Sequence, residues 1–454
     1  MSDILLINLG TGNPSKPPLG YDRTVYRFKE DGFEQETVIA GLALWKHLVH
    51  RDSSPASVRF AATREAWEGK EDAIREEADA MGLDVAVLDP PFFVEIPRSI
   101  DKLWSVLPEL EEWAEQHRQD GQPPVLHMDL THAWRAIPIS QPWLALFLER
   151  IGFVRTGVMG YGAYVQDISP TPYIDLSAVM ELAEWAAAVR DFERRGDAGA
   201  LSQLMEAGAR ESRRVIFAGS PGRQDRDSLR HLGSVIKAAQ AIGDYVPAGL
   251  PIELGIEARR ALGRTQPKDV AGAVRSVLPP AAPVAERLHD AARRFAWPEE
   301  LPGKATKTHL RLSPDEVRRE LDLVKLWAQR GAEGGALRAL RELIINRVLL
   351  ARGVTSGWLR RDAREPASDA LNALRPAKNA KYRSLPDPMK ELGSLWHSVC
   401  EKRNAFAHAG MNQDEVHVEG VRRQVAEDIE KFEQLNEAGD GLWRLDGAPP
   451  ELEP

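Results

Sequence analysis

The sequence predicts three parts in order. Residues 1–174 read as an α/β Rossmann-like amino-terminal domain, 175–303 as a helical middle region and 304–438 as an all-α carboxyl-terminal domain, with 439–454 as a tail. Three observations lead there. Short apolar runs alternate with helical patterns over about the first 165 residues, the strand signal stops after Asp175, and prolines cluster at 278–283 and 297–302 before the last stretch of helices. Strands alternating with helices imply βαβ crossovers and a doubly wound parallel sheet.

The first strand is the run ILLINL at 4–9, ended by Gly10-Thr11-Gly12-Asn13. Further buried strands are expected at 58–63, 85–88 and 125–130, and a glycine-rich fifth at 154–164. Helices fill the gaps at 34–50, 65–81 and 100–119; in the last, Leu103, Leu107, Leu110 and Trp113 make one apolar stripe. Beyond Asp175, helices are expected at 176–194, 198–211, 228–242 and 271–277. Ser313-Pro314-Asp315-Glu316 is a helix start, with Ser as N-cap, Pro first and acids in the first turn. Helices at 337–352, 387–408 and 418–437 follow, and the tail reads as a frayed end.

At 454 residues the chain has room for two or three domains. It is 43% hydrophobic and 28% charged, as globular chains are, and no apolar run reaches the length of a membrane span. The start, Met1-Ser2-Asp3-Ile4, lacks the pattern of a secretory signal, so a cytoplasmic protein is expected. The single cysteine, Cys400, excludes an internal disulfide and cysteine-only metal sites. The net charge of −9 hides an asymmetry: residues 304–403 hold 21 Lys+Arg against 12 Asp+Glu. That surplus suggests that one domain meets a polyanion, the plain alternative being a solvated helical surface.

Two places carry candidate chemistry. Ligands of open α/β sheets bind beyond the carboxyl ends of strands. Gly10, Thr11, Gly12 and Asn13 end the first strand, and their glycines let backbone N–H groups approach a phosphate or base. The pattern is neither a dinucleotide nor an ATP-hydrolysing fingerprint. Asp129-Leu130-Thr131-His132-Ala133-Trp134-Arg135 packs donors, acceptors and a cation at another strand end, and Tyr161 with Gly162 offers a ring that can stack on a base or fill a core. The second place is Arg403-Asn404-Ala405-Phe406-Ala407-His408, closing a helix. At 100° per residue Asn404 and His408 lie about 40° apart and share a face, whereas Arg403 and His408 lie about 140° apart. Metal-free RNA cleavage needs a group that moves a proton and a cation on the phosphate, roles that His408 and Arg403 can fill. The plain alternative is an Arg and a His complementing the helix dipole.

Together these segments resemble the CARF–HEPN ribonucleases that accompany type III CRISPR interference complexes. Leu9-Gly10-Thr11-Gly12, the segment from Asp129 to Arg135, Tyr161-Gly162-Ala163 and Asp175-Leu176-Ser177 with Glu184-Trp185 resemble the CARF domain. Arg403 and His408 match the HEPN pattern of R, four to six residues, then H. One departure is Ala133-Trp134, where the family commonly reads G-F. The resemblance implies an endoribonuclease of antiviral defence, activated allosterically by a cyclic oligoadenylate and needing neither cofactor nor metal. Its motifs lean toward the branch that uses cyclic tetra-adenylate. Gly10, Thr11, Gly12, Asn13, Thr131, His132, Ala133, Trp134 and Arg135 are then expected to hold phosphates and adenines, with Tyr161 and Gly162 on the floor. A homodimer or higher homo-oligomer would join Arg403, Asn404 and His408 of two chains into one site that cuts single-stranded RNA, leaving 2′,3′-cyclic phosphates. The basic surplus would hold the substrate. Two readings from other classes stay open: a non-catalytic second-messenger sensor that recruits a partner through its helices, and a small-molecule enzyme such as a transferase, which lacks every cofactor fingerprint. Slow breakdown of the activator by the CARF domain also stays open.

Overall fold

The apolar run at the start forms strand β1 (Asp3–Leu9), whose side chains alternate between two cores. Leu5, Ile7 and Leu9 pack on one face and Ile4 and Leu6 on the other, so the run Ile4–Ile7 is continuously apolar because both faces are covered. A computed structural model describes residues 2–94, 106–132, 136–164, 168–219, 222–263, 269–302, 306–376, 382–407 and 417–445. It places β1 in an eight-stranded sheet with β2 (Thr24–Phe28), β3 (Glu34–Thr37), β4 (Ser57–Ala62), β5 (Phe92–Phe93), β6 (Val125–Asp129), β7 (Arg155–Gly162) and β8 (Thr171–Asp175). The strand order is β3-β2-β8-β7-β6-β1-β4-β5. β1 is parallel to both its neighbours, β4 and β6.

The sheet is mixed, which corrects the expectation of an all-parallel one. β7 and β8 are antiparallel because the connection between them is too short for a crossover, and β2 and β3 form a hairpin closed at Phe28, Gly32 and Phe33. The expected helix over 34–50 therefore splits: its first four residues are the polar edge strand β3 and the helix is Ala40–His50. The expected strand at 85–88 makes a single bridge from Leu88 to Val58; before it, Asp84 accepts a hydrogen bond from the Ala86 N–H at 3.0 Å and curls the chain into one 3₁₀ turn.

The chain divides into two compact units, Met1–Glu184 and Trp185–Pro454. The second is helical throughout its described residues, and one core runs from Trp185 to Leu445. Among the described residues, contacts join the expected middle region to the expected carboxyl-terminal domain. Buried Arg319 pairs with Glu316 and donates to the Phe295 carbonyl at 3.0 Å, and the Trp327 indole donates to the Val246 carbonyl at 2.8 Å. The Ser313 cap forms as expected, with its hydroxyl accepting from Glu316 N–H at 3.2 Å. The expected frayed tail is corrected over its described part: Asp440–Arg444 is helical and Trp443 is fully buried against Phe432 and Arg347. Asp440 and Asn436 hold the Arg347 guanidinium at 2.6 Å each.

Candidate functional site

The carboxyl end of β1 is tied to that of β6 by a buried amide pair. Asn8 donates to the Asp129 carbonyl at 2.8 Å and exchanges two hydrogen bonds with Gln141 of the helix Ala136–Arg150. From there residues 10–21 loop out and return. Gly12, at φ +68°, lies so close to Gly20 that a Cβ on it would sit 2.8 Å from the Gly20 Cα, and the Asn13 N–H donates to the Gly20 carbonyl at 2.7 Å. Only glycine fits this pinch. Tyr21 closes the loop: its hydroxyl accepts from Gly10 N–H at 3.0 Å and donates to the Gly10 carbonyl at 2.8 Å. Burial pushes its phenol up to about 12. Buried Lys70 caps the loop from beneath, donating to the carbonyls of Gly10 (3.1 Å) and Thr11 (2.7 Å).

At the end of β6, Thr131 donates to Asp129 Oδ1 at 2.6 Å and accepts from Gly162 N–H at 2.8 Å, so its hydroxyl splints β6 to β7. Asp129 is fully buried, receives a second hydrogen bond from the Tyr173 hydroxyl at 2.9 Å, and is pushed up to about 7 by burial. The His132 ring stacks on Tyr21 with centroids 4.1 Å apart, and its Nε2 accepts from the Ala40 N–H at 3.3 Å. An accepting Nε2 means a neutral ring protonated on Nδ1. Burial, with the nearby Lys70 charge adding to it, pushes His132 down to about 4.

Two clefts open on either side of the Tyr21–His132 stack. One, of about 340 Å³, is lined by Gly10, Thr11, Gly12 and Thr63; the other, of about 220 Å³, by Asn13, Lys16, Tyr26 and Tyr164; both share Tyr21, Thr131 and His132. The structure thus brings together Gly10, Thr11, Gly12, Asn13, Thr131 and His132. Ala133, Trp134 and Arg135 lie outside the described residues. Tyr161 and Gly162 are not among the residues lining these two clefts. Gly162 is a spacer whose missing Cβ leaves room for the Tyr26 ring, and Tyr161, next to it on the strand, is 40% exposed. The sequence reading missed Tyr21, Lys70 and Tyr164. For Tyr21 a signal existed: Gly20 followed by an aromatic marks a loop that returns on Gly12. Lys70 sits in a uniformly polar stretch and gave none.

The second motif ends the helix Asp387–Ala407. Arg403, half-buried, donates to Asn404 Oδ1 at 2.9 Å; Asn404 is exposed, and His408 lies outside the described residues. Earlier on the helix, Arg375 reaches in to hold His397 (2.9 Å) and Glu401 (2.8 Å). Burial pushes the Cys400 thiol up, against the pull of Arg341, Arg375 and Arg403. About half of the cations of 304–403 are in ion pairs: among the described residues 11 of its 21 face a carboxylate. Also among the described residues, no group of three or more His, Cys, Asp or Glu is placed to hold a metal ion, and no helix is long and apolar enough to cross a membrane.

No family model matches the chain. A curated relative, a CRISPR-associated protein of Methanocaldococcus jannaschii, is 26% identical over 83 residues, a match covering 18% of this chain and 13% of that protein. A solved structure of Enterococcus italicus Csm6 bound to cyclic hexa-2'-fluoro-hexa-dAMP matches with a TM-score of 0.42 at 10% identity, covering 96% of this chain and 94% of that one.

Proposed function

We propose that this protein is a cytoplasmic, cyclic oligoadenylate-activated, metal-independent endoribonuclease of the CARF–HEPN kind, acting in type III CRISPR defence. The observation that carries the reading is the meeting of residues 10–13 with Thr131 and His132 around two clefts at the carboxyl ends of β1 and β6. The clefts suit purine nucleotides: Tyr21 and the neutral His132 ring offer stacking surface, and the glycine loop brings backbone close to a phosphate. Cyclic tetra-adenylate is the expected ring. The chemistry belongs to Arg403, Asn404 and His408. His408 takes the proton of a ribose 2′-OH as that oxygen attacks the adjacent phosphorus. The 5′-oxygen leaves with the proton that His408 returns to it, and Arg403 stabilises the phosphoryl charge. The products are a 2′,3′-cyclic phosphate and a 5′-hydroxyl.

A second copy completes the assembly. The helix Ala136–Arg150 shows Ile139, Trp143 and Phe147 outward at intervals of four, continued by Ile151; Trp143 is 59% exposed. No charged residue occurs from 136 to 148, so two such helices can cross about a two-fold axis without like-charge contacts. Trp143→Glu is expected to shift the sedimentation coefficient from dimer to monomer and to reduce cleavage with it. The experiment that tests the function is a fluorogenic RNA assay against cyclic tri-, tetra-, penta- and hexa-adenylate, with and without EDTA. Cleavage with one ring size, unchanged by EDTA and leaving cyclic phosphate ends, is expected. Ring binding without cleavage would favour the sensor reading instead.

A further inference from the structure

The helical unit carries a second cationic surface, away from both motifs in sequence. Helices Gly199–Ala218 and Arg223–Ala248 form an antiparallel pair: Gly243 packs against Gly199, and Gln240 donates to Glu206. On the first helix Arg210, Arg213, Arg214 and Phe217 occur at i, i+3, i+4 and i+7, so they share one stripe, and all four are exposed. The second helix opens with exposed Arg223 and Arg226. At 1.5 Å per residue, all of these lie within about 12 Å of the turn along the helix axes.

Most of the cations on this surface are unpaired. Arg214 is held by Glu211, but Arg210, Arg213, Arg223 and Arg226 face no carboxylate within ion-pair distance among the described residues. In a chain of net charge −9, these four guanidiniums gather at the tip of one helix pair without an ion-pair partner among the described residues. Phe217, 58% exposed, stands beside them. Unpaired guanidiniums around an exposed ring are the parts a single strand requires, cations on its phosphates and a surface for a base.

We infer that the tip of this helix pair is an accessory binding surface for single-stranded RNA, which grips substrate outside the cleavage motif. The choice of RNA rests on the proposed ribonuclease function; the surface itself does not. The test uses the full chain and a fluorescein-labelled 20-nucleotide RNA with 2′-O-methyl groups throughout, which cannot undergo 2′-OH attack. Anisotropy is read from 50 to 300 mM salt, so binding is measured whether or not the protein cleaves. The triple variant Arg210→Gln, Arg213→Gln, Arg223→Gln is expected to bind at least tenfold more weakly, and its salt slope to fall by about 2, as losing three phosphate contacts on a single strand requires. Phe217→Ala is expected to weaken binding severalfold with the slope unchanged. Arg360→Gln with Arg361→Gln, two exposed cations already paired to Asp362 and Glu365, is expected to leave affinity unchanged. An unaltered affinity and slope in the triple variant, with native circular dichroism, would overturn the inference. So would a triple variant that binds RNA normally but loses binding to phosphatidylserine vesicles, which would make the surface a lipid contact.

Discussion

The clefts of the amino-terminal unit and the Arg403 end of the helical unit differ in how much of each is built by one chain. In the clefts the loop is pinched at Gly12 and Gly20, Tyr21 and Lys70 hold its carbonyls, and Thr131 is bonded at both ends. The geometry is set before any ligand arrives. At the helix end, Arg403 and Asn404 bond to each other, and Asn404 faces outward. The contrast suits a sensor that one chain preorganises and a catalytic site that two chains complete.

The largest effect that can break this contrast is chemical. His408→Ala is expected to lower RNA cleavage by about 10²–10⁴-fold, the range for losing a general acid or base, while ring affinity measured by calorimetry is unchanged. A loss of ring binding in that variant would mean that the two sites are not separable. Next comes the buried carboxylate under the clefts. Asp129 is held near 7 by burial, against an ordinary 3.8, so the folded chain keeps a proton that the unfolded chain has lost. Stability is therefore expected to fall as pH rises from about 4 to about 7, by up to about 1.4 kcal/mol per pH unit. Asp129→Asn is expected to flatten that slope in urea titrations followed by tryptophan fluorescence. The smallest effect sharpens the claim of preorganisation. Gly12→Ala forces a Cβ onto Gly20 at positive φ, a strain of about 1–2 kcal/mol, and is expected to weaken ring binding about tenfold with cleavage at saturating ring retained.

The strands that could be read from sequence are those whose residues are mostly apolar or glycine. β1, β4, β6 and β7 announce themselves as apolar or glycine-rich runs, and their ends locate Gly10, Thr131 and His132. β2, β3 and β8 could not be read that way, since β3 is the polar segment Glu-Gln-Glu-Thr, held at the sheet edge only by its pairing with β2. Proline misled in the helical unit. Pro251 and Pro283 start helices at their first turn, as Pro314 does, although the proline cluster at 278–283 reads as a break. Charge counting misled too, because a surplus of arginine says nothing about which guanidiniums have partners. Four of those without one, Arg210, Arg213, Arg223 and Arg226, lie in a stretch whose alternating signs hide them in any sum.

The seat of Trp443 has a consequence for the order in which the protein acquires its structure during synthesis. The amino-terminal sheet has its last strand once Asp175 has been made, so that unit can fold while the chain is still growing. The helix Glu333–Ala351 cannot finish packing so early, because Arg347 waits for Asp440, 93 residues further on, and for the indole that follows it. At about 5–20 residues per second that wait lasts about 5–20 s. The nascent protein therefore passes through a period with its amino-terminal clefts formed and its helical core still open, and the segment at Arg403 emerges within that interval. On the proposed function, the chain would then acquire its sensing site before its cutting site.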